Sequence, residues 1–245
     1  MKALGVIPAR LHSTRLPEKL IRRICDRYIL ELVWERAMAS KKLSKVIIAT
    51  DHEKIKSLAE SFGATVMMTK DTHTSGTDRL VEVARQEKFP IIVNLQGDEP
   101  LMEPSSIDKL LALFSRNHSV QMATLCYRST DKKVYQNPNV VKVVKDKDNN
   151  AVYFSRASVP FYRDSKEIEF YKHLGVYAYR RTFLLKIPRL KKSPLEEAEK
   201  LEQLRILENG YKIKVVEVKH DSVGIDTLDD LNEVERILSR ISRRR

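Results

Sequence analysis

The stretch Val46-Ile47-Ile48-Ala49-Thr50-Asp51 opens a segment that continues through Ile55, Leu58, Ala59 and Phe62 to Gly63 and closes on Val66-Met67-Met68. Four consecutive apolar residues, three of them β-branched, read as a strand buried on both faces. Asp51 is a good N-cap, the i, i+3, i+4, i+7 spacing after it predicts a helix with one apolar face, and Gly63 ends that helix. A strand, a helix and a second strand in this order form a β-α-β unit, whose two strands run parallel.

The same rhythm extends outward. Ala3 to Pro8 reads as a strand and is followed by a helix carrying Leu30, Val33, Trp34 and Ala37. A helix with Leu80, Val81 and Ala84, capped by Thr77, precedes the strand Ile91 to Leu95, and Pro104 with Ser105 opens a helix bearing Ile107, Leu110, Leu111 and Phe114. This alternation predicts an α/β fold with a doubly wound, mostly parallel sheet, in which ligands belong at the carboxyl ends of the strands.

After residue 125 the pattern changes. Val140 to Lys145 and Ala151 to Phe154 are strand-like runs joined by a turn-rich linker, and Gly175 to Tyr179 is a further strand. A helix with Leu201, Leu204 and Leu207 stops at Gly210, Tyr211 to Val218 reads as a strand, and Thr227 with Asp230 caps a last helix carrying Leu231, Val234, Leu238 and Ile241. The second half is expected to hold an antiparallel insertion or arm, suited to dimerisation.

The 245 residues suit one domain or a domain with a modest insertion, and 42% hydrophobic content excludes a disordered chain. No apolar run reaches the roughly 18 residues of a membrane span. The N-terminus, with Pro8 and Arg10 breaking its apolar stretch, is no secretory signal, so the expected location is the cytoplasm. Cys25 and Cys126 are too far apart in sequence to suggest a zinc site or a disulfide framework. The net charge of +12 fits nucleic acid, small polyanions or a solvated surface; Arg240 and Arg243 to Arg245 crowd the C-terminus, and neither an RNP pattern nor a finger spacing accompanies the charge.

Four segments carry the chemistry of a nucleotide site. The loop Pro8-Ala9-Arg10-Leu11-His12-Ser13-Thr14-Arg15-Leu16-Pro17-Glu18-Lys19 brings three cations and two hydroxyls to the end of the first strand, as a triphosphate requires, although it is no Walker A loop and a basic surface loop has the same composition. His73-Thr74-Ser75-Gly76-Thr77-Asp78-Arg79 places a glycine among small hydroxylated residues before a helix; an ordinary helix start reads the same way. In Asn94-Leu95-Gln96-Gly97-Asp98-Glu99-Pro100 a carboxylate just past a buried strand is a candidate Mg²⁺ ligand or an ordinary turn residue. Ser222-Val223-Gly224-Ile225-Asp226-Thr227 supplies a second carboxylate before a helix, and Asp98 with Asp226 would suffice for Mg²⁺ that also takes phosphate and water oxygens.

Other residues suit an acidic second substrate. Arg156, at the end of a strand, can clamp a carboxylate, His173 and Tyr177 share one face of their strand, and Glu202 and Gln203 lie on a helix whose leucines are core. Each has a plainer reading as exposed charge or core.

Taken together, I-P-A-R-x-x-S-T-R-L-P-x-K, H-T-S-G-T-D-R, N-x-Q-G-D-E-P, N-P-N-V-V-K, Y-F-S-R-A, K-H-x-G-V-Y-A-Y-R, L-E-Q-L-R-x-L-E-N-G and G-I-D-T closely resemble the 3-deoxy-manno-octulosonate (Kdo) cytidylyltransferase family from residue 3 to about residue 234. The resemblance implies a single Rossmann-like nucleotidyltransferase domain over 1-245, with about 126-185 forming a sugar-binding and dimerisation arm. It implies that CTP and Kdo give CMP-Kdo and diphosphate for lipopolysaccharide biosynthesis, with Mg²⁺ held by Asp98 and Asp226 and Lys19 as third catalytic residue. Pro8, Ala9, Arg10, Ser13, Arg15, Lys19, Thr74, Ser75, Arg79 and Gln96 would meet the nucleotide; Gln96, Arg156, His173, Tyr177, Glu202 and Gln203 would meet the sugar. A homodimer binding neither nucleic acid nor membrane is expected. Another acidic sugar such as sialic acid is the alternative substrate, and a basic nucleic-acid-binding protein the alternative of a different class. The chain departs from the family at Glu18, where glycine is usual: a backbone with φ > 0 there would strain a glutamate or shift the loop, and its carboxylate would disfavour a triphosphate unless it pointed away.

Overall fold

The computed structural model describes residues 2-13, 15-73, 75-164 and 167-242. The chain divides into two compact units, 1-108 with 222-245, and 109-221.

The first unit is built on β1 (Ala3–Ala9), β4 (Lys45–Thr50), β5 (Thr65–Met68) and β6 (Ile91–Asn94), in the order β6-β1-β4-β5 with every pair parallel. The segment that decided the fold forms β4, the helix α2 (Glu53–Ser61) and β5, as the pattern of residues 46-68 predicts. Val46 to Ala49 and Ile91 to Val93 are buried because strands in the middle of a parallel sheet are covered on both faces. α1 (Ile29–Met38) turns Ile29, Leu30, Val33 and Ala37 inward, and α3 (Gly76–Gln86) turns in Leu80, Val81, Val83 and Ala84. Between β1 and α1 lies a hairpin that the sequence reading lacks, β2 (Arg23–Ile24) and β3 (Arg27–Tyr28), joined by Cys25 and Asp26, both with positive φ.

Two helix starts differ from expectation. His52, not Asp51, caps α2, its ring accepting from the Lys54 N-H at 3.1 Å, because the Asp51 carboxylate is drawn to Arg79. Ser75, not Thr77, caps α3, its Oγ accepting from the Asp78 N-H at 3.2 Å.

The division between the units falls within α4 (Pro104–Arg116). In the second unit β7 (Met122–Ser129) lies between β10 (Phe170–Arg180), antiparallel to it, and β11 (Lys214–Val218), parallel to it. The hairpin read from residues 140-154 is β8 (Lys142–Lys145) paired antiparallel with β9 (Ala151–Ser155). Short helices α5 (Lys132–Gln136) and α6 (Arg181–Leu184) join the strands. The single helix expected through Leu201 is two, α7 (Pro194–Glu199) and α8 (Gln203–Glu208), because Lys200 takes a left-handed backbone with φ 54° and interrupts it, leaving Leu201 buried in the connection.

The chain re-enters the first unit and closes with α9 (Leu228–Ser242), where Thr227 and Asp230 cap each other reciprocally as the sequence predicts. Leu231 and Val234 of α9 pack with Leu16, Ile24, Ile29 and Ile225, which ties the end of the chain to the loop after β1. None of the helices in the described residues is long and apolar enough to cross a membrane. Arg243 to Arg245 and Thr14 lie outside the described residues.

Candidate active site

The loop after β1 returns at Glu18 into a single 3-10 turn, Lys19–Ile21, that buries Lys19. Glu18 itself takes the left-handed backbone, φ 51° and ψ 32°, which the usual glycine would adopt freely. Its carboxylate pairs with Lys54 Nζ at 2.8 Å, and this partner holds the Glu18 carboxyl below the ordinary glutamate range. The loop keeps the glycine geometry and the extra charge is neutralised on the surface.

Lys19 Nζ lies 2.5 Å from Asp98 Oδ2 and 3.0 Å from Asp226 Oδ1. Burial depresses the ammonium, while Asp98 and then Asp226 more than reverse this, so Lys19 stays charged with a pKa above its ordinary value. Arg15 adds a 3.0 Å bridge to the other oxygen of Asp226. Asp98 follows β6 through a turn in which Gly97 is closely packed: a Cβ there would stand 3.2 Å from the Pro8 carbonyl and 3.3 Å from Leu20, and these neighbours would have to give by a few tenths of an ångström. The Asp98 carbonyl in turn accepts from the Ile225 N-H at 2.9 Å, locking the two carboxylate-bearing segments side by side. Asn94, at the end of β6, is buried with an Oδ1 that lacks a hydrogen-bond partner among the described residues, while Gln96 is half-buried.

Arg10 Nη2 donates to the His73 carbonyl at 2.6 Å, and the His73 ring meets Glu82 of α3 at 2.5 Å. Glu82 also accepts from the Lys70 N-H at 3.1 Å, which pins the loop before α3 to the helix, while the Arg10 bond ties that loop to the first one. Pro8 and Ser13 are half-buried and Ala9 buried; Ser75 is engaged as a helix cap, and Thr74 lies outside the described residues. Arg79 is placed differently from the other cations: it is fully buried, bonded to Asp51 Oδ2 at 2.6 Å and to the Thr69 hydroxyl. That side chain joins α3 to the ends of β4 and β5 in the interior.

Of the residues expected to meet a sugar, Gln96 belongs to the first unit, and Arg156, His173, Tyr177, Glu202 and Gln203 belong to the second. Arg156 donates from Nε to the Glu199 carbonyl at 2.9 Å and from Nη1 to the Pro138 carbonyl at 3.3 Å. His173 and Tyr177 share a face of β10, their rings 5.3 Å apart. A bulge between Leu174 and Tyr177 receives the Thr124 hydroxyl, which lies 2.8 Å from the Val176 carbonyl and 3.0 Å from His173 Nε2. Burial lowers the His173 pKa to about 3, so the ring is neutral at physiological pH, and burial raises the Tyr177 hydroxyl well above the tyrosine range. Gln203 is buried at the start of α8 and Glu202 exposed beside it; the Glu202 charge acts on Tyr177 and Tyr179. Sequence reasoning missed Thr124, Lys142, Glu82 and Glu199. Of these only Lys142 carries a sequence signal, a cation within the β-branched run Val140 to Val144.

A parallel sheet with a buried lysine between two carboxylates, on loops at the carboxyl ends of its strands, defines the chain as a nucleotidyltransferase. The family model described as Cytidylyltransferase matches residues 4-213. The 3-deoxy-manno-octulosonate cytidylyltransferase of Solibacter usitatus is 49% identical, covering 96% of this chain and 94% of its own. That of Fusobacterium nucleatum is 45% identical, covering 96% of each. A solved CMP:2-keto-3-deoxy-manno-octonic acid synthetase complexed with CTP is 37% identical with a TM-score of 0.93, covering 98% of this chain and 99% of that one. The 4-diphosphocytidyl-2C-methyl-D-erythritol synthase of Anaerococcus prevotii, 14% identical with a TM-score of 0.65 over 97% and 96% of the two chains, shares the fold. The chain belongs to the 3-deoxy-manno-octulosonate cytidylyltransferase family.

Proposed function

We propose that this enzyme activates the acidic sugar Kdo, CTP plus Kdo giving CMP-Kdo and diphosphate, for lipopolysaccharide biosynthesis. The observation that carries the reading is the convergence of Asp98 and Asp226 on Lys19 Nζ at 2.5 and 3.0 Å, in a chain whose relatives bear that enzyme's name.

In this reading the sugar's anomeric hydroxyl attacks the α-phosphorus of CTP in line with the departing diphosphate, and catalysis is mostly positioning and charge neutralisation. Lys19 faces the charge that develops on the transferring group, and Arg10 and Arg15 hold phosphate oxygens. Pro8, Ala9, Ser13, Thr74 and Ser75 shape the nucleotide pocket, and Gln96 stands at its sugar side. Arg79, sealed in the interior, serves the nucleotide by holding α3 against the strand ends. Arg156 takes the Kdo carboxylate, and His173, Tyr177, Glu202 and Gln203 meet its hydroxyls.

Asp98 and Asp226 would hold Mg²⁺. Both carboxylates reach Lys19 Nζ from separate loops, which brings them close to each other, and a hard cation that accepts one or two carboxylates and completes its shell with phosphate and water suits such a pair. When bound, the metal neutralises phosphate charge and lowers the pKa of the attacking hydroxyl. The enzyme works in the cytoplasm as a homodimer, the segment of about 126-185 serving as its sugar-binding and dimerisation arm within one nucleotidyltransferase domain.

A diphosphate-release assay across nucleotides and acidic sugars tests the reading. Turnover requiring CTP, Kdo and Mg²⁺ together is expected; turnover with sialic acid and none with Kdo would overturn the substrate.

A further inference from the structure

Lys142, the first residue of β8, is fully buried. Its three ammonium hydrogens have three acceptors, the carbonyls of Asn137 at 3.0 Å, Val140 at 2.7 Å and Arg156 at 2.6 Å. An ammonium is costly to bury and a methionine of similar volume would fill the same space, so the charge needs a reason beyond packing. The three bonds fix the loop 137-140 and the backbone of residue 156 to one point.

Glu199 completes the arrangement from the end of α7. One carboxylate oxygen accepts from the Ser155 hydroxyl at 2.6 Å and the other from the Arg156 N-H at 2.9 Å, while the Glu199 carbonyl accepts from Arg156 Nε. Arg156 Nη1 reaches the Pro138 carbonyl, on the loop that Lys142 holds. Every bond that orients the guanidinium therefore ends on backbone fixed by Lys142 or on Glu199. The charges matter as well: two cations, Lys142 and Arg156, face one carboxylate, Glu199, and the pair leaves one positive charge for an anion to meet.

We propose that Lys142 and Glu199 are positioning residues that aim the Arg156 guanidinium at the carboxylate of the acidic sugar. The inference rests on the reading of Arg156 as that carboxylate's partner. A carboxylate clamp depends on the angle of the guanidinium fork, so a loosened Arg156 weakens sugar binding and leaves nucleotide binding intact.

Steady-state diphosphate release, with Kdo and CTP varied separately, tests this. Lys142→Met is expected to raise KM for Kdo at least about 10-fold while kcat and KM for CTP stay within about 2-fold. Glu199→Gln, which keeps the hydrogen-bonding shape, should shift KM for Kdo in the same direction and covers the case in which Lys142→Met does not fold, as judged by circular dichroism. Equal increases in both KM values, or none in a folded variant, would overturn the proposal. Arg156→Met separates the two ideas: if it raises KM for Kdo while Lys142→Met and Glu199→Gln do not, the positioning role falls and Arg156 keeps its assignment. If Arg156→Met leaves KM for Kdo unchanged, the reading of Arg156 falls and the proposal with it.

Discussion

Glu18 and Lys54 form an ion pair of 2.8 Å that carries the Glu18 carboxylate away from the Lys19 cluster while the Glu18 backbone stays left-handed. The residue accepts a conformation that favours glycine, and its charge is neutralised at the surface rather than near the phosphates. Glu18→Gly removes the strain and loses only an exposed pair, so the melting temperature is expected to rise slightly, by roughly 2 °C. Differential scanning calorimetry of the two proteins decides it, and a clear fall would show that the Lys54 pair outweighs the strain.

Asp98→Asn removes one of the two carboxylates that meet Lys19. The residue is half-buried on a loop, so the fold should persist while turnover falls at least about 100-fold. Diphosphate release beside a far-ultraviolet spectrum checks both halves, and near-normal turnover would remove Asp98 from the chemistry.

Arg79→Met leaves the partly exposed Asp51 carboxylate and the Thr69 hydroxyl without their buried partner. Deleting the buried member of such a pair costs roughly 1-3 kcal/mol, so urea unfolding should show a clear loss of stability. A variant as stable as the parent, with impaired nucleotide binding alone, would return Arg79 to direct contact with the nucleotide.

Ser75→Ala deletes the α3 cap and should cost about 1 kcal/mol, whereas Thr77→Ala should cost much less because Thr77 is not the cap. Equal losses in thermal unfolding would contradict the assignment.

His173 ties stability to pH. Its folded pKa of about 3 lies below the roughly 6.5 of an unfolded histidine, so between these values the unfolded chain binds the extra proton. Stability is unaffected by this group above about 6.5 and declines as pH falls toward 3, by up to about 1.4 kcal/mol per pH unit. His173→Gln should flatten that decline in melting temperatures taken between pH 7 and pH 5. An unchanged slope would mean that the ring protonates in the folded protein.

The parallel strands of the first unit were legible because burial on both faces writes itself as runs such as Val46 to Ala49 and Ile91 to Val93. The β2-β3 hairpin was not, since it has two residues per strand and turns on Cys25 and Asp26, residues without the usual glycine or asparagine signal. Residue type pointed to Asp98 and Asp226 as a pair and to Lys19 among the cations of the first loop, the family resemblance grouped the three, and the structure brings them within hydrogen-bonding distance. Type alone misleads for Arg79, which has the chemistry of a phosphate ligand and is sealed against Asp51, a residue nearly thirty positions earlier in the chain. The carbonyl cage of Lys142 is likewise set by three backbone carbonyls from two segments, which composition cannot report.

The bond from the Ile225 N-H to the Asp98 carbonyl unites segments from near the middle and near the end of the chain. On the ribosome the first four parallel strands and Asp98 emerge long before residue 226, so the carboxylate pair exists only once residue 226 has followed them. A product cut short before residue 226 lacks both Asp226 and the Leu231 and Val234 side chains that brace the first loop, and so lacks the carboxylate pair.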